Sequence, residues 1–240
     1  MIRTGMAAGL LLALMAGTAS AQNSQRVVEA QAAKFQVPLC NLKGNKAADN
    51  GQKALKKAIE EKDAAKRASS YQEALEQLTQ AVTEDPTNSA GWYYLGRYYL
   101  YQGDLAGLDS AWTKAVAVNP SCEIDINTTR QNTWAMLANA GIEFLRVENT
   151  DSAMVLFRQA NTVFRELPHV LLQTGGIYAN MGQDDSAAVY LAKAAEVAAM
   201  DTSYVEERHS APPHLAIVQQ RMERHQDASQ SLKTYLSWHA

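Results

Sequence analysis

The sequence predicts an all-α protein built from stacked helix-turn-helix repeats, and three observations carry that prediction. Apolar and small residues recur three and four positions apart through most of the chain, which is the signature of one buried helical face. The pattern itself returns at a spacing of 34 residues: Pro86 and Pro120 close the phrases TEDP and AVNP, with Ala74, Leu78 and Ala81 ahead of the first and Leu108, Trp112 and Ala115 ahead of the second. Finally, SAGWYYLGRYYLYQGD at residues 89–104 places six aromatic rings on one stretch of a chain that is 8% aromatic. A helix so apolar on all sides needs neighbours on more than one of them.

The chain opens with the features of a cleavable export signal over residues 1–21. Arg3 gives a positive start, residues 6–15 are apolar, and Ala19-Ser20-Ala21 is the small-residue pattern that a signal peptidase cuts. An apolar core of about ten residues falls well short of the ~20 needed to cross a bilayer. No second long apolar segment follows, so the expectation is an exported protein without stable membrane insertion after cleavage. The short, alanine-rich form of the signal points to a bacterial periplasm. The formal net charge of −3 becomes one unit more negative without Arg3, which argues against nucleic-acid binding. Lys53, Lys56, Lys57, Lys62, Lys66 and Arg67 alternate with Glu60, Glu61 and Asp63 and read as a solvated helix face.

Residues 22–54 form an N-terminal segment that is partly loop. SQRVVEAQAAKF has the composition for three helical turns, whereas VPLCNLKGNKAADNG reads as loop, with Pro38, Gly44 and Gly51 as breakers. Cys40 and Cys122 are the only cysteines, and export would put them where disulfides persist. They allow one intramolecular pairing or two separate thiols, and no CxxC redox motif is present.

Repeats then follow at about 55–88, 89–122, 134–167, 168–201 and 209–240. Their leading helices carry Trp92, Leu95, Gly96 and Tyr99, then Leu137, Ala140, Gly141 and Phe144, then Leu171, Thr174, Gly175 and Tyr178. The trailing helices carry Ala153, Phe157 and Ala160, then Ala187, Leu191 and Ala194, with a degenerate last copy in Ala228, Leu232 and Tyr235. At 34-residue phasing the first repeat has Ala58, Glu61 and Lys62 where others have Trp, Leu and Gly, so its leading helix reads as a solvated cap. Insertions at 123–133 and 202–208 either lengthen helices or bulge as loops. Pro212-Pro213 reads as shortening the start of the last repeat, since proline is tolerated in a first helical turn and disruptive further in.

The phrase WYYLGRYY, with Pro120 at its end, resembles the tetratricopeptide repeat, whose pattern is W-x2-L-G-x2-Y, then A-x3-F, then P. Trp92, Leu95, Gly96 and Tyr99 stand in the matching places, while Leu108 and Trp112 replace the alanine and phenylalanine. The resemblance implies a right-handed α-solenoid in which Gly96, Gly141 and Gly175 allow close helix approach and Trp92, Leu95 and Tyr99 fill the interface between helices. It also implies a concave groove lined by another face of each leading helix, and a protein or peptide partner. On this chain that face bears Tyr93, Arg97 and Tyr101, then Ile142 and Arg146, then Leu172 and Asn180, then Ile217 and Arg221. Aromatic and arginine side chains dominate binding hot spots. An extended or helical peptide with apolar side chains and a carboxylate would suit such a surface.

Two other classes compete with this reading. His209, His214, His225 and His239 gather near Glu206 and Glu207, but their spacing matches no usual ligand motif. With no G-x-S-x-G elbow and no phosphate-cradling loop, neither catalysis, a cofactor nor a metal is expected. The second class is a structural subunit of a larger cell-envelope complex, docking through its convex face or its C-terminal end, or associating with itself. ASQSLKTYLSWH closes the chain with Tyr235 and Trp238 and no polar capping helix, which stacked repeats normally require.

Overall fold

The computed structural model describes residues 35–165 and 167–239, and these are all-α, with no strand among the described residues. The export signal at 1–21 and most of SQRVVEAQAAKF lie outside the described residues. The helices are α1 Lys46–Glu60, α2 Ala64–Glu84, α3 Ser89–Gln102, α4 Leu105–Val118, α5 Glu123–Arg146, α6 Thr150–Val163, α7 Pro168–Asn180, α8 Asp184–Met200, α9 Val205–Arg221 and α10 His225–His239. A 3-10 turn, Pro120–Cys122, leads into α5. The chain divides into two compact units, Met1–Ala140 and Gly141–Ala240.

Helix starts follow from short polar side chains. Asn45, Asp63, Asn88, Asp104 and Asn149 each accept the backbone N–H three residues on, at 2.8 to 3.1 Å, satisfying a donor that the helix cannot. The turn within a helix pair is also shared. Gly103, Glu148, Gly182 and Glu223 all adopt positive φ, between 58° and 71°, just after α3, α5, α7 and α9. This left-handed residue reverses the chain into the next helix.

Pairing within repeats rests on a glycine facing a large side chain. A Cβ on Gly96 would lie 2.1 Å from Cδ1 of Trp112, one on Gly141 2.4 Å from Phe157, and one on Gly175 2.6 Å from Leu191, so only hydrogen fits there. The first unit holds a further instance that corrects the expected register. Gly51 is no breaker but sits inside α1, with Leu78 of α2 2.6 Å from where its Cβ would be. The first repeat therefore starts at Lys46. Ala47, Ala48, Gly51, Ala54, Leu55 and Ala58 form its buried face, and Lys62 and Asp63 lie in the break before α2.

Further expectations are resolved. The insertion at 123–133 lengthens a helix, making α5 one continuous run of 24 residues. Pro212-Pro213 does not begin α9 but lies inside it, because the helix starts at Val205, where Glu206 and Glu207 favour its positive end. The two rings remove two intrahelical donors. In the second unit the core joins Ala187, Ala188, Leu191, Leu215 and Val218, and beside it Leu171, Ala194, Val197 and Ala211. The last helix packs back on α9: the Tyr235 ring lies 6.0 Å from that of His209, and the Arg208 guanidinium sits 4.7 Å over the Trp238 ring.

Candidate functional site

In the first unit, the expected groove face of α3 is covered. Tyr93, Arg97 and Tyr101 are 1%, 4% and 8% exposed, so they offer no surface to a partner in this state. The burial order is also reversed from expectation, since Trp92 and Tyr99 are only half-buried. Part of the cover, at Arg97, is the chain's own segment at residues 35–45, which runs antiparallel to α3. Near one end, Ala90 donates its N–H to the Lys43 carbonyl at 3.0 Å, and the Lys43 N–H donates to Ser89 Oγ at 2.9 Å. At the other, Arg97 Nη1 donates to Gln36 Oε1 at 3.2 Å and Phe35 stacks on Tyr94 with centroids 6.2 Å apart.

The opposite edge of the segment is held by residues around the start of α5. Leu39 donates its N–H to Asp125 Oδ2 at 3.2 Å, Asn119 Nδ2 donates to the Asn41 carbonyl at 2.8 Å, and Cys40 is bonded to Cys122. Beneath, Tyr93 donates its hydroxyl to Asp125 Oδ2 at 2.6 Å and accepts from Arg97 Nη2 at 2.9 Å. Burial holds the Tyr93 phenol well above its ordinary range despite the opposing pull of the Arg97 charge, and Tyr94 is pushed up to about 12 for the same reason. Here α3 uses its polar side chains to hold a segment of backbone.

The second unit presents an open cleft of about 550 Å³. Leu172, Gln173, Gly176, Ile177, Asn180 and Met181 line it from α7 and the turn beyond, Leu145 from α5, and Glu206, Ser210 and His214 from α9, with Thr150 at its edge. A Cβ added to Gly176 would meet nothing within 4 Å. Of the residues expected on the groove, Leu172 and Asn180 line this cleft. Ile142 is half-buried, while Arg146 is exposed and paired with Glu143 Oε1 at 2.7 Å; neither lines the cleft. Ile217 is 54% exposed away from it, and Arg221 ties the Ala179 carbonyl to Asp184. Glu206, Ser210 and His214 stand one turn apart on α9; the sequence reading weighs Glu206 and His214 only as metal candidates, and its start for that helix at about 209 leaves Glu206 outside it. Among the described residues, no three His, Cys, Asp or Glu side chains gather as a metal would require.

A curated TPR repeat-containing protein of Pseudomonas aeruginosa is 42% identical to this chain over 50 residues, which is 21% of this chain and 48% of that protein. The match adds to the helix pairs and the glycine-to-bulky-residue contact recurring at fixed spacing. The described helices form tetratricopeptide-like repeats. The chain spans about half the length of the curated relative it matches, and no family model matches it. Solved structures similar to these repeats include MamA (14% identity, TM-score 0.38, 80% of this chain and 89% of that one) and PilW, described as a widely conserved type IV pilus biogenesis factor (19%, 0.35, 81% and 78%). Another is YrrB, described as a TPR protein with an unusual peptide-binding site (16%, 0.36, 80% and 93%).

Proposed function

We propose that this tetratricopeptide-like repeat protein is an exported, non-catalytic scaffold that binds a peptide segment of another protein in the cleft of its second unit. The observation that carries the reading is the open floor at Gly176. Between Leu172, Ile177 and Leu145 it leaves room for an apolar side chain that the protein itself does not fill. Concave apolar clefts with a few convergent polar groups are the usual form of a binding site. Glu206 is the carboxylate at this cleft, and its described lining includes no lysine or arginine, so a segment with a basic group beside its apolar anchor fits better than one ending in a carboxylate. The Cys40–Cys122 bond supports an oxidising compartment, and with the signal-like residues 1–21 it supports a periplasmic location.

The test separates binding from folding. Peptides selected from a random displayed library on the wild-type protein are measured against Gly176→Leu, in which the leucine enters open space. The expected result is at least a ~10-fold loss of affinity with an unchanged or higher Tm. Selected peptides that bind both proteins equally, or a failure to select any, would count against the cleft. A second reading, docking through the last helix, draws on Leu232 and Leu236. They stand one turn apart on α10, 40% and 63% exposed.

A further inference from the structure

The segment that covers α3 is held as a ligand is held. A helix face that needed only packing would be closed by apolar side chains, because buried charges cost more to desolvate than apolar groups of the same volume. This face instead keeps Arg97 and Asp125 buried, bridged by the Tyr93 hydroxyl, and directs them at groups of an extended segment: the Gln36 side chain and the Leu39 N–H. Two of the segment's apolar side chains play no part in seating it. Val37 and Leu39 are exposed, so the grip is on the backbone and on Gln36, with Cys40 as a covalent bolt.

We infer that residues 36–43 are a tethered peptide ligand for the face made by α3 and the start of α5, and that the Cys40–Cys122 disulfide decides whether this face is closed or free to receive a second extended peptide of the same kind. With the disulfide formed, the segment cannot leave. Once it is reduced, only hydrogen bonds and the Phe35 contact remain, and the tethered segment competes at an effective concentration on the order of millimolar. A partner peptide that binds more tightly than that displaces it.

The reductant is a dithiol. Cys122 is fully buried and Cys40 only half-buried, so the attacking thiolate reaches Cys40 Sγ. A mixed disulfide forms there, the Sγ–Sγ bond breaks, and Cys122 leaves as a thiolate that takes a proton. The second thiol of the reductant then displaces Cys40. The protein gains two electrons and two protons, and the dithiol ends as its own disulfide.

The experiment uses the full chain with Cys40→Ser, which leaves Cys122 beneath an unbolted segment. A synthetic peptide of residues 35–44, FQVPLCNLKG, is offered in a glutathione redox buffer, and capture on Cys122 is read by intact mass. The expected result is at least tenfold more capture of this peptide than of a scrambled peptide with the same cysteine. Capture also falls when the Leu39 amide of the peptide is N-methylated, because the donor to Asp125 is then gone. Equal capture of native and scrambled peptides, or a Cys122 that reacts with neither, overturns the inference. Should Cys40→Ser fail to fold, hydrogen exchange of the wild-type protein with and without a dithiol decides. Exchange at the Leu39 and Ala90 amides that rises on reduction at least tenfold more than exchange within α1 and α2 supports the gate, and a rise no greater than theirs refutes it.

Discussion

Glycine has two opposite roles on these helices. At Gly96 the Trp112 ring lies where a methyl group would go, and at Gly176 there is only space. Gly96→Ala is therefore expected to destabilise by about 3 kcal/mol through overpacking. Gly176→Ala is expected to stabilise by about 1 kcal/mol through helix propensity. Urea denaturation of the two variants beside the wild type checks both signs. Tyrosine burial gives a pH dependence of known direction. The folded protein holds Tyr93, Tyr94 and Tyr101 neutral to higher pH than the unfolded chain does, so their contribution is intact below pH ~10 and is lost as pH rises from there toward the raised folded values. Urea midpoints should be flat up to about pH 9 and fall above ~10, with a shallower fall for Tyr93→Phe. Which of these rings face a partner was not legible from the sequence. Periodicity placed Tyr93, Arg97 and Tyr101 on one face, but Arg97 meets Gln36 and Tyr93 meets Asp125, and no local pattern reports contacts so distant in sequence.

At the scale of the element, helix pairs were legible wherever the 34-residue spacing held, and misplaced where it failed. The spacing put Lys62 where Gly51 belongs, because α2 is longer than the other trailing helices and the break before it falls early. The signal that would have found α1 was present: Asn45 as a cap, then small or apolar residues at 47, 48, 51, 54, 55 and 58 in helical steps. A buried glycine simply looks like a turn glycine until its neighbour is known. Caps and turns should respond to mutation separately. Asn88 is buried and accepts from the Gly91 N–H at 2.8 Å, so Asn88→Ala should cost about 1 to 2 kcal/mol. Glu148 and Glu223 hold the left-handed position that Gly103 and Gly182 fill in the other pairs. Replacing either glutamate by glycine removes a steric penalty of about 1 kcal/mol, partly offset by the entropy glycine loses. A small rise in Tm for Glu148→Gly and Glu223→Gly, set against a fall for Gly103→Ala and Gly182→Ala, is the expected outcome.

For the whole molecule, the two units predict unequal responses to reduction. Cys40 and Cys122 are separated by 82 residues, all in the first unit, and in the chain-entropy model a bond of that span contributes up to about 4 kcal/mol. Reductant should lower the stability of α1 to α4 and leave α7 to α10 nearly unchanged, which hydrogen exchange resolved by peptide would show. That span also sets the order of assembly. Within a helix pair, partners are close in sequence and meet at small loop-closure cost, whereas residues 36–43 must wait for a surface that exists only once α3 and the start of α5 are in place. A chain emerging from its N-terminus therefore carries Cys40 as an unsatisfied thiol through the formation of two helix pairs. The covering segment acts in effect as a seal on finished work: its closure marks a correctly built first unit, and a thiol still reactive at Cys40 marks one that is not.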